Sequence, residues 1–203
     1  MQRGLLIVIS GPSGAGKGTV CRALRKLNPN VELSVSVTTR PPRPGEREGV
    51  NYFFRTREEF ERMIENGEFL EYAEVYGNYY GTLKSYVYER LSAGKDIVLE
   101  IDIQGALSVK NKFDNAVFVF ILPPSMEELK RRITKRGTES QEELLKRFNS
   151  AYQELNFITR YNYVVVNDIV EIAAKKIDAI ITAEKCRVER NRELYINYLE
   201  GSK

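Results

Sequence analysis

Four stretches of the chain run apolar rather than alternating: LLIVIS (5–10), DIVLEIDI (96–103), AVFVFIL (116–122) and YVVVN (163–167). A strand with one wet face alternates with period two, whereas one covered on both faces need not. These runs therefore read as strands of a parallel sheet. VELSVSVT (31–38) is a weaker fifth candidate. Helical patterns lie between the runs. Residues 16–27 should form the helix after the first strand. Ser125 with Glu128, Ser140 with Glu143 and Asp168 with Glu171 are each spaced like an N-cap and its N3 partner, and the last pair should open a long helix toward the C-terminus. Alternating strand, loop and helix predicts an α/β fold: a parallel five-stranded sheet with helices on both faces.

Two segments break this rhythm. Residues 36–84 hold RPPRPGEREG, too rich in Pro and Gly for a core element, then a helix signal at TREEFERMIENG and the aromatic stretch FLEYAEVYGNYYG. They read as a small α/β lobe inserted after the second strand. Residues 125–158 are helical and heavily charged, like a helical hairpin with RGTES as its turn. The expected division is a core of about 1–35, 85–124 and 159–203, with inserts at about 36–84 and 125–158.

Composition narrows the function classes. Apolar residues make up 42% of the 203, enough for a core, and the net charge of +3 does not suggest a general nucleic-acid binder. No apolar run approaches the roughly 20 residues that cross a bilayer. No small-residue cleavage region follows the first apolar run, so a buried strand is expected there rather than a signal peptide. Cys21 and Cys186 lack metal-like spacing, and a reducing, cytoplasmic setting is the simplest expectation. The chain has no histidine, which excludes histidine acid–base catalysis and histidine metal sites.

GPSGAGKGT (11–19) matches G-x-x-x-x-G-K with Gly11, Gly16 and Lys17 in register. Glycines let backbone N–H groups wrap a phosphate chain, and the following helix aims its positive end at the same anion. Lys17 would neutralise the outer phosphates. Gly18 stands where many such loops carry a Ser or Thr that touches magnesium. Magnesium held by phosphates needs few protein oxygens, so the expectation is a weaker protein grip on the metal and not a loss of activity. In the second segment, Arg40 and Arg43 sit three apart on a proline-stiffened loop, a spacing that suits a phosphate monoester, and Tyr52 and Tyr80 could add hydroxyl donors.

GPSGAGKGT, SVSVTTRPPRPGE, NYFF, GEFLEYAEVYGNYYGT, LEIDIQGA and KRRITKRGTES occur in this order. Together they closely resemble guanylate kinases, which phosphorylate GMP with ATP, over essentially the whole chain from Leu5 to about Asp168. The resemblance implies a P-loop kinase core, a GMP-binding lobe and a lid. It implies that Gly11, Pro12, Ser13, Gly14, Ala15, Gly16, Lys17, Gly18 and Thr19 bind ATP. Ser36, Glu71, Thr82 and Asp102 would read guanine, and Arg40, Arg43, Tyr52 and Tyr80 would hold the GMP phosphate. Thr82 stands where the family often has Ser and keeps the hydroxyl. The K-G-T sequence also occurs in adenylate kinases, so Gly18 does not mark a dead site.

The residue types suit guanine without the name. Carboxylates accept from N1–H and N2–H, hydroxyls donate to O6, and adenine would leave such groups unpaired. Glu71 could equally be the polar face of a strand, and Asp102 a cap at a strand end. On the lid, Arg132 and Arg136 lie four apart on one helical face beside Arg131 and Lys135, and Arg147 follows on the next helix. The resemblance gives Arg132, Arg136 and Arg147, with Lys17, Arg40 and Arg43, the charge neutralisation that phosphoryl transfer needs. It also implies Mg2+ as cofactor; separately, strand ends in phosphate-loop enzymes commonly carry an acid near magnesium, and IVLEID offers Glu100 for contact through water. ATP and GMP are the expected partners, with neither nucleic acid nor membrane, and no feature fixes an oligomeric state. Two other readings stay open: a non-catalytic guanylate-kinase-like interaction module, which would typically lack a working loop, and a kinase for AMP, dTMP or UMP.

Overall fold

The computed structural model describes residues 4–75, 77–113, 115–134 and 141–201. The chain begins with β1 (Leu6–Ser10), α1 (Lys17–Leu27), β2 (Val31–Leu33), β3 (Ser36–Thr38) and β4 (Tyr52–Phe54). It continues through α2 (Arg57–Glu65), β5 (Phe69–Val75), β6 (Asn78–Leu83), α3 (Lys84–Ser92), β7 (Asp96–Glu100) and α4 (Ile103–Lys110). Then come β8 (Val117–Leu122), α5 (Met126–Thr134), α6 (Gln141–Leu155), β9 (Tyr163–Val166), α7 (Val170–Lys185) and α8 (Arg192–Glu200).

Two sheets result. The first is parallel throughout, in the order β2-β7-β1-β8-β9. Its pleat divides the core. Leu5, Ile7 and Ile9 face α1 and α7 with Val20, Leu24, Ala173 and Ile177, while Leu6 and Val8 face α3 and α4 with Val87, Leu91, Ala106 and Val109. Both faces of β7, β1 and β8 are thus buried, which is why they read as apolar runs; on β9 one face stays open, with Val164 53% and Val166 41% exposed, so the reading of YVVVN as covered on both faces is corrected. The second sheet, β4-β3-β6-β5, packs one face on α2 through Val37, Phe60 and Phe69. A capping box starts α2: Thr56 accepts from the Glu59 N–H and Glu59 accepts from the Thr56 N–H.

Three further sequence expectations are corrected. VELSVSVT is not one strand: residues 31–33 pair with β7 in the parallel sheet, and 36–38 pair with β4 and β6 in the other. The chain changes sheets between them, which period alone does not reveal. Asp168 does not cap α7. The N-cap is Ile169, without a side-chain bond, and the helix ends at Lys185 with α8 a separate element. Ser125 does accept from the Glu128 N–H at 3.1 Å, but the Glu128 carboxylate turns to Arg131 and Arg132 instead of closing a box. The Ser140–Glu143 pairing and the RGTES turn lie outside the described residues. Among the described residues no helix is long and apolar enough to cross a membrane.

Asp96 ties the amino edge of the parallel sheet together. Its fully buried carboxylate accepts from the Leu5 N–H at 3.0 Å, from Asn30 Nδ2 at 3.3 Å and from Lys185 Nζ at 2.6 Å. It thereby joins β7, β1, the turn before β2 and the end of α7. Asp96→Ala strands these donors. Because Lys185 retains some solvent contact, the expected cost is at the low end for a broken buried pair, about 3 kcal/mol. Urea unfolding checks this, with the midpoint lowered and the slope unchanged.

Candidate active site

β1 lies between β7 and β8, and the chain leaves it toward opposite edges of the sheet. Such a switch point opens a crevice at the carboxyl ends of the strands. The loop from Gly11 to Gly16 fills that crevice. Gly11 has φ +142° and Gly16 +87°. A Cβ on Gly11 would lie 2.3 Å from the Ile121 carbonyl, and one on Gly16 would lie 2.4 Å from Asn167 Nδ2. Only glycine fits either position. Asn167, at the end of β9, donates to the Ala15 carbonyl at 2.8 Å and so props the loop from below. It was not singled out from sequence; its only signal was its place after the run YVVV.

Lys17 opens α1 and donates to the carbonyls of Gly11 and Pro12. Burial pushes its pKa down, and the charges of Glu100, Glu154 and Asp102 push it back up. The Gly18 position explains itself sterically: a Cβ there would sit 3.1 Å from Glu100 Oε1 and 3.5 Å from Arg22 Nη1. The missing side chain leaves room for a carboxylate from β7. Burial raises the Glu100 pKa, and Lys17 and Arg22 oppose the rise. Among the described residues no three His, Cys, Asp or Glu side chains cluster to hold a metal.

One cleft of about 750 Å3 joins this loop to the second sheet, with Lys17 and Thr19 at one end and Ser36, Tyr52, Glu71 and Asp102 at the other. Ser36 and Tyr52 are partners in β3 and β4, and the rings of Tyr52 and Tyr80 meet edge to face at 6.0 Å. Arg43 and Tyr80 line the same cleft. Arg40 is engaged elsewhere: its Nη2 donates to both oxygens of Glu46 at 2.9 Å, and its guanidinium lies 5.4 Å from the Tyr52 ring centre. Glu46 also accepts from the Arg43 N–H at 2.8 Å, so it fixes the arginine loop twice. Sequence reasoning missed Glu46 because a surface glutamate in a charged loop carries no signal of its own.

Glu71 is 3% exposed. Thr82 is fully buried and donates to Glu71 Oε1 at 2.6 Å, so its hydroxyl serves the carboxylate directly. Burial is the largest influence on Glu71 and lifts its pKa to about 7; the Thr82 bond and Lys112 pull it down, and Asp102 pushes it up. Asp102 caps α4 by accepting from the Gly105 N–H at 2.7 Å, so the strand-end cap is realised and its second oxygen remains available. A Cβ on Gly105 would lie 2.6 Å from Glu71 Oε2. Sequence reasoning passed over Gly105; a helix-interior glycine, about 1 kcal/mol costlier than alanine in propensity, is the kind of signal that marks such a close approach.

α5 packs on the loop and on α6. A Cβ on Gly14 would meet Ile133 Cγ1 at 2.9 Å, and Leu129, Ile133 and Ala151 form a common core. Arg132 reaches over the loop: Nη1 lies 3.5 Å from the Ala15 carbonyl, Nη2 donates to the Asn167 carbonyl at 3.1 Å, and Nε donates to Glu128 at 2.7 Å. Arg147 lies half-buried on α6. Arg136 lies outside the described residues.

Fold and loop together define a phosphate-loop α/β kinase. Comparison with known proteins narrows the class. The family model described as "Guanylate kinase" matches residues 3–184. A guanylate kinase of Caldanaerobacter subterraneus subsp. tengcongensis is 63% identical over 201 residues, covering 99% of this chain and 98% of that protein. One from Clostridium perfringens is 62% identical, covering 98% and 91%. The crystal structure of guanylate kinase from Anaplasma phagocytophilum superposes with a TM-score of 0.79 at 38% identity, covering 94% of this chain and 90% of that one. The chain belongs to the guanylate kinase family.

The Glu71 environment sets a pH dependence. Its carboxyl is lifted from 4.5 to about 7 by folding, so the folded state holds a proton that the unfolded state releases. Stability should therefore fall as pH rises through that window. Urea unfolding at several pH values should show this component in the wild type and lose it in Glu71→Gln.

Proposed function

We propose that this chain transfers the γ-phosphoryl group of ATP to GMP, giving ADP and GDP by direct in-line transfer. One observation carries the reading. A single cleft holds a phosphate loop with its lysine at one end and two carboxylates with an arginine and two tyrosines at the other. Family membership supports the same reaction.

The loop amides and Lys17 hold the donor phosphates. Arg43, Tyr52 and Tyr80 hold the acceptor phosphate, and Arg40 joins them by sharing its guanidinium between Glu46 and the phosphate. Glu71 and Asp102 accept from guanine N1–H and N2–H, and Ser36 donates to O6. Thr82 acts through Glu71 by keeping its carboxylate oriented and favouring its charged form. The acceptor oxygen is already anionic, so no general base is needed, consistent with a chain that lacks histidine. Arg132, Arg136 and Arg147 bring positive charge to the transferring group, where positioning and charge neutralisation do most of the catalysis.

The family works with a divalent metal, and we assign Mg2+ here. The residues fit a metal carried mainly by phosphates and water. Gly18 leaves space for one carboxylate, Glu100, and no multidentate cage stands beside the loop among the described residues. Bound magnesium supplies charge neutralisation to the donor phosphates. In this reading residues 36–84 are the GMP-binding lobe, residues 125–158 the lid and the remainder the core. The enzyme works in the cytoplasm in purine nucleotide metabolism, without nucleic-acid or membrane partners.

Lys17→Ala should leave the circular dichroism spectrum unchanged and lower ADP formation by about a thousandfold. Turnover near wild type in a coupled ADP assay would overturn the donor-site assignment. Across GMP, AMP, dTMP and UMP, only GMP should turn over rapidly; faster turnover of AMP would overturn the guanine assignment. Gly105→Ala pushes a methyl group into Glu71, and the KM for GMP should rise about tenfold or more with the KM for ATP unmoved. Steady-state kinetics with each substrate varied in turn distinguishes the two.

A further inference from the structure

The functional reading uses Arg40 and leaves the two threonines before it without a role. Thr38 ends β3 and pairs with Tyr80 of β6. Regular pairing stops there, because Arg40 leads into Pro41 and Pro42, whose nitrogens carry no hydrogen for a ladder. The two strands nevertheless stay joined through side chains. Thr38 is fully buried; its hydroxyl donates to the Tyr79 carbonyl at 2.9 Å and accepts from the Arg40 N–H at 3.2 Å. The Thr39 hydroxyl accepts from the Tyr79 N–H at 2.8 Å, and the Thr39 N–H donates to the Tyr79 carbonyl at 3.1 Å. Tyr79 is held from its other side as well: its ring stacks on Phe60 of α2 with centres 5.2 Å apart, and its hydroxyl accepts from Arg57 Nη2 at 3.0 Å. Strand alternation then sends Tyr80 to the opposite face, where its ring meets that of Tyr52 in the cleft.

We propose that Thr38 and Thr39 are positioning residues for the acceptor phosphate: their hydroxyls fix the backbone of Arg40 against that of Tyr80, so that guanidinium and phenol close on one phosphate monoester. This rests on the reading of Arg40 and Tyr80 as phosphate ligands. Two groups that share one phosphate must keep their spacing, and a planar guanidinium fork loses its advantage when its backbone root shifts. A hydroxyl suits the place because it donates and accepts at once, and Thr38 uses both capacities. Valine would fill the same space but take the acceptor away from the Arg40 N–H. The groups assigned to the base have other supports. Glu71 is held by Thr82, Asp102 caps α4, and Ser36 sits within the pairing of β3 with β4. Loosening residues 38–40 therefore weakens the grip on the phosphate and leaves the reading of guanine intact.

Calorimetric titration with GMP and, separately, with guanosine, which carries the base without the phosphate, tests this. Wild type should bind GMP more tightly than guanosine. Thr38→Val and Thr39→Val should each bind GMP about tenfold more weakly than wild type, with guanosine affinity unchanged within about twofold. Thr38→Ser, which keeps the hydroxyl, should stay within about threefold of wild type for GMP. Thr39 is only partly buried, so its substitution carries the test if Thr38→Val does not fold. If the folded valine variants keep the wild-type ratio of GMP to guanosine affinity, the proposal fails and the phosphate reading stands. If both ligands weaken together, the threonines are merely structural and the proposal fails. A wild type that binds guanosine as tightly as GMP overturns the phosphate reading of Arg40 and Tyr80, and this proposal with it.

Discussion

The ammonium of Lys17 is partly withdrawn from water at the carboxyl end of the parallel sheet, and much of the architecture around it serves to make that tolerable. A buried cation without compensation would neutralise or pull the loop apart. Here two loop carbonyls accept its hydrogen bonds, and three carboxylates from different parts of the chain supply the countercharge. Glu100 is the end of β7, Asp102 the cap of α4 and Glu154 part of α6. The position of one charge therefore constrains the neighbouring strand, the helix that follows it and α6. Glycines at 11 and 16 let the backbone pass close enough to Ile121 and Asn167 for the loop to close around it.

A second balance holds the end of the cleft where Glu71 and Asp102 lie. Helix α4 packs against the parallel sheet through Ala106 and Val109, and its first turn also meets β5 of the second sheet, where Glu71 approaches Gly105. Leu70, next to Glu71, is buried in the core of the parallel sheet and its carbonyl accepts from Lys112 at 3.1 Å. The inserted sheet is thus anchored to the core at the residue beside its most buried carboxylate. That burial lifts the Glu71 pKa to about 7.

Much of the fold could be read in the sequence because the interactions that specify it are local or periodic. Continuous apolar runs marked the four longer strands of the parallel sheet, and the glycine spacing with Lys17 marked the loop. Where two competing structures share one pattern, the reading failed. VELSVSVT has a uniform strand pattern, yet its halves belong to different sheets. Asp168 and Glu171 have capping-box spacing, yet the backbone begins the helix one residue later, with Ile169 as its cap.

The sequence by itself determined residue types and their order: a phosphate loop with a lysine, paired arginines and tyrosines, and acids placed at strand ends. Those features follow from backbone sterics and from which groups donate or accept, and both are properties of short segments. Tertiary structure decided what each group has left to offer. Thr82 spends its hydroxyl on Glu71, Arg40 spends its guanidinium on Glu46, and Gly18 leaves room for a carboxylate that arrives from 82 residues further along the chain. Hydrogen-bond capacity and close approach are consumed by partners distant in sequence, so only the folded chain shows which groups remain for a ligand.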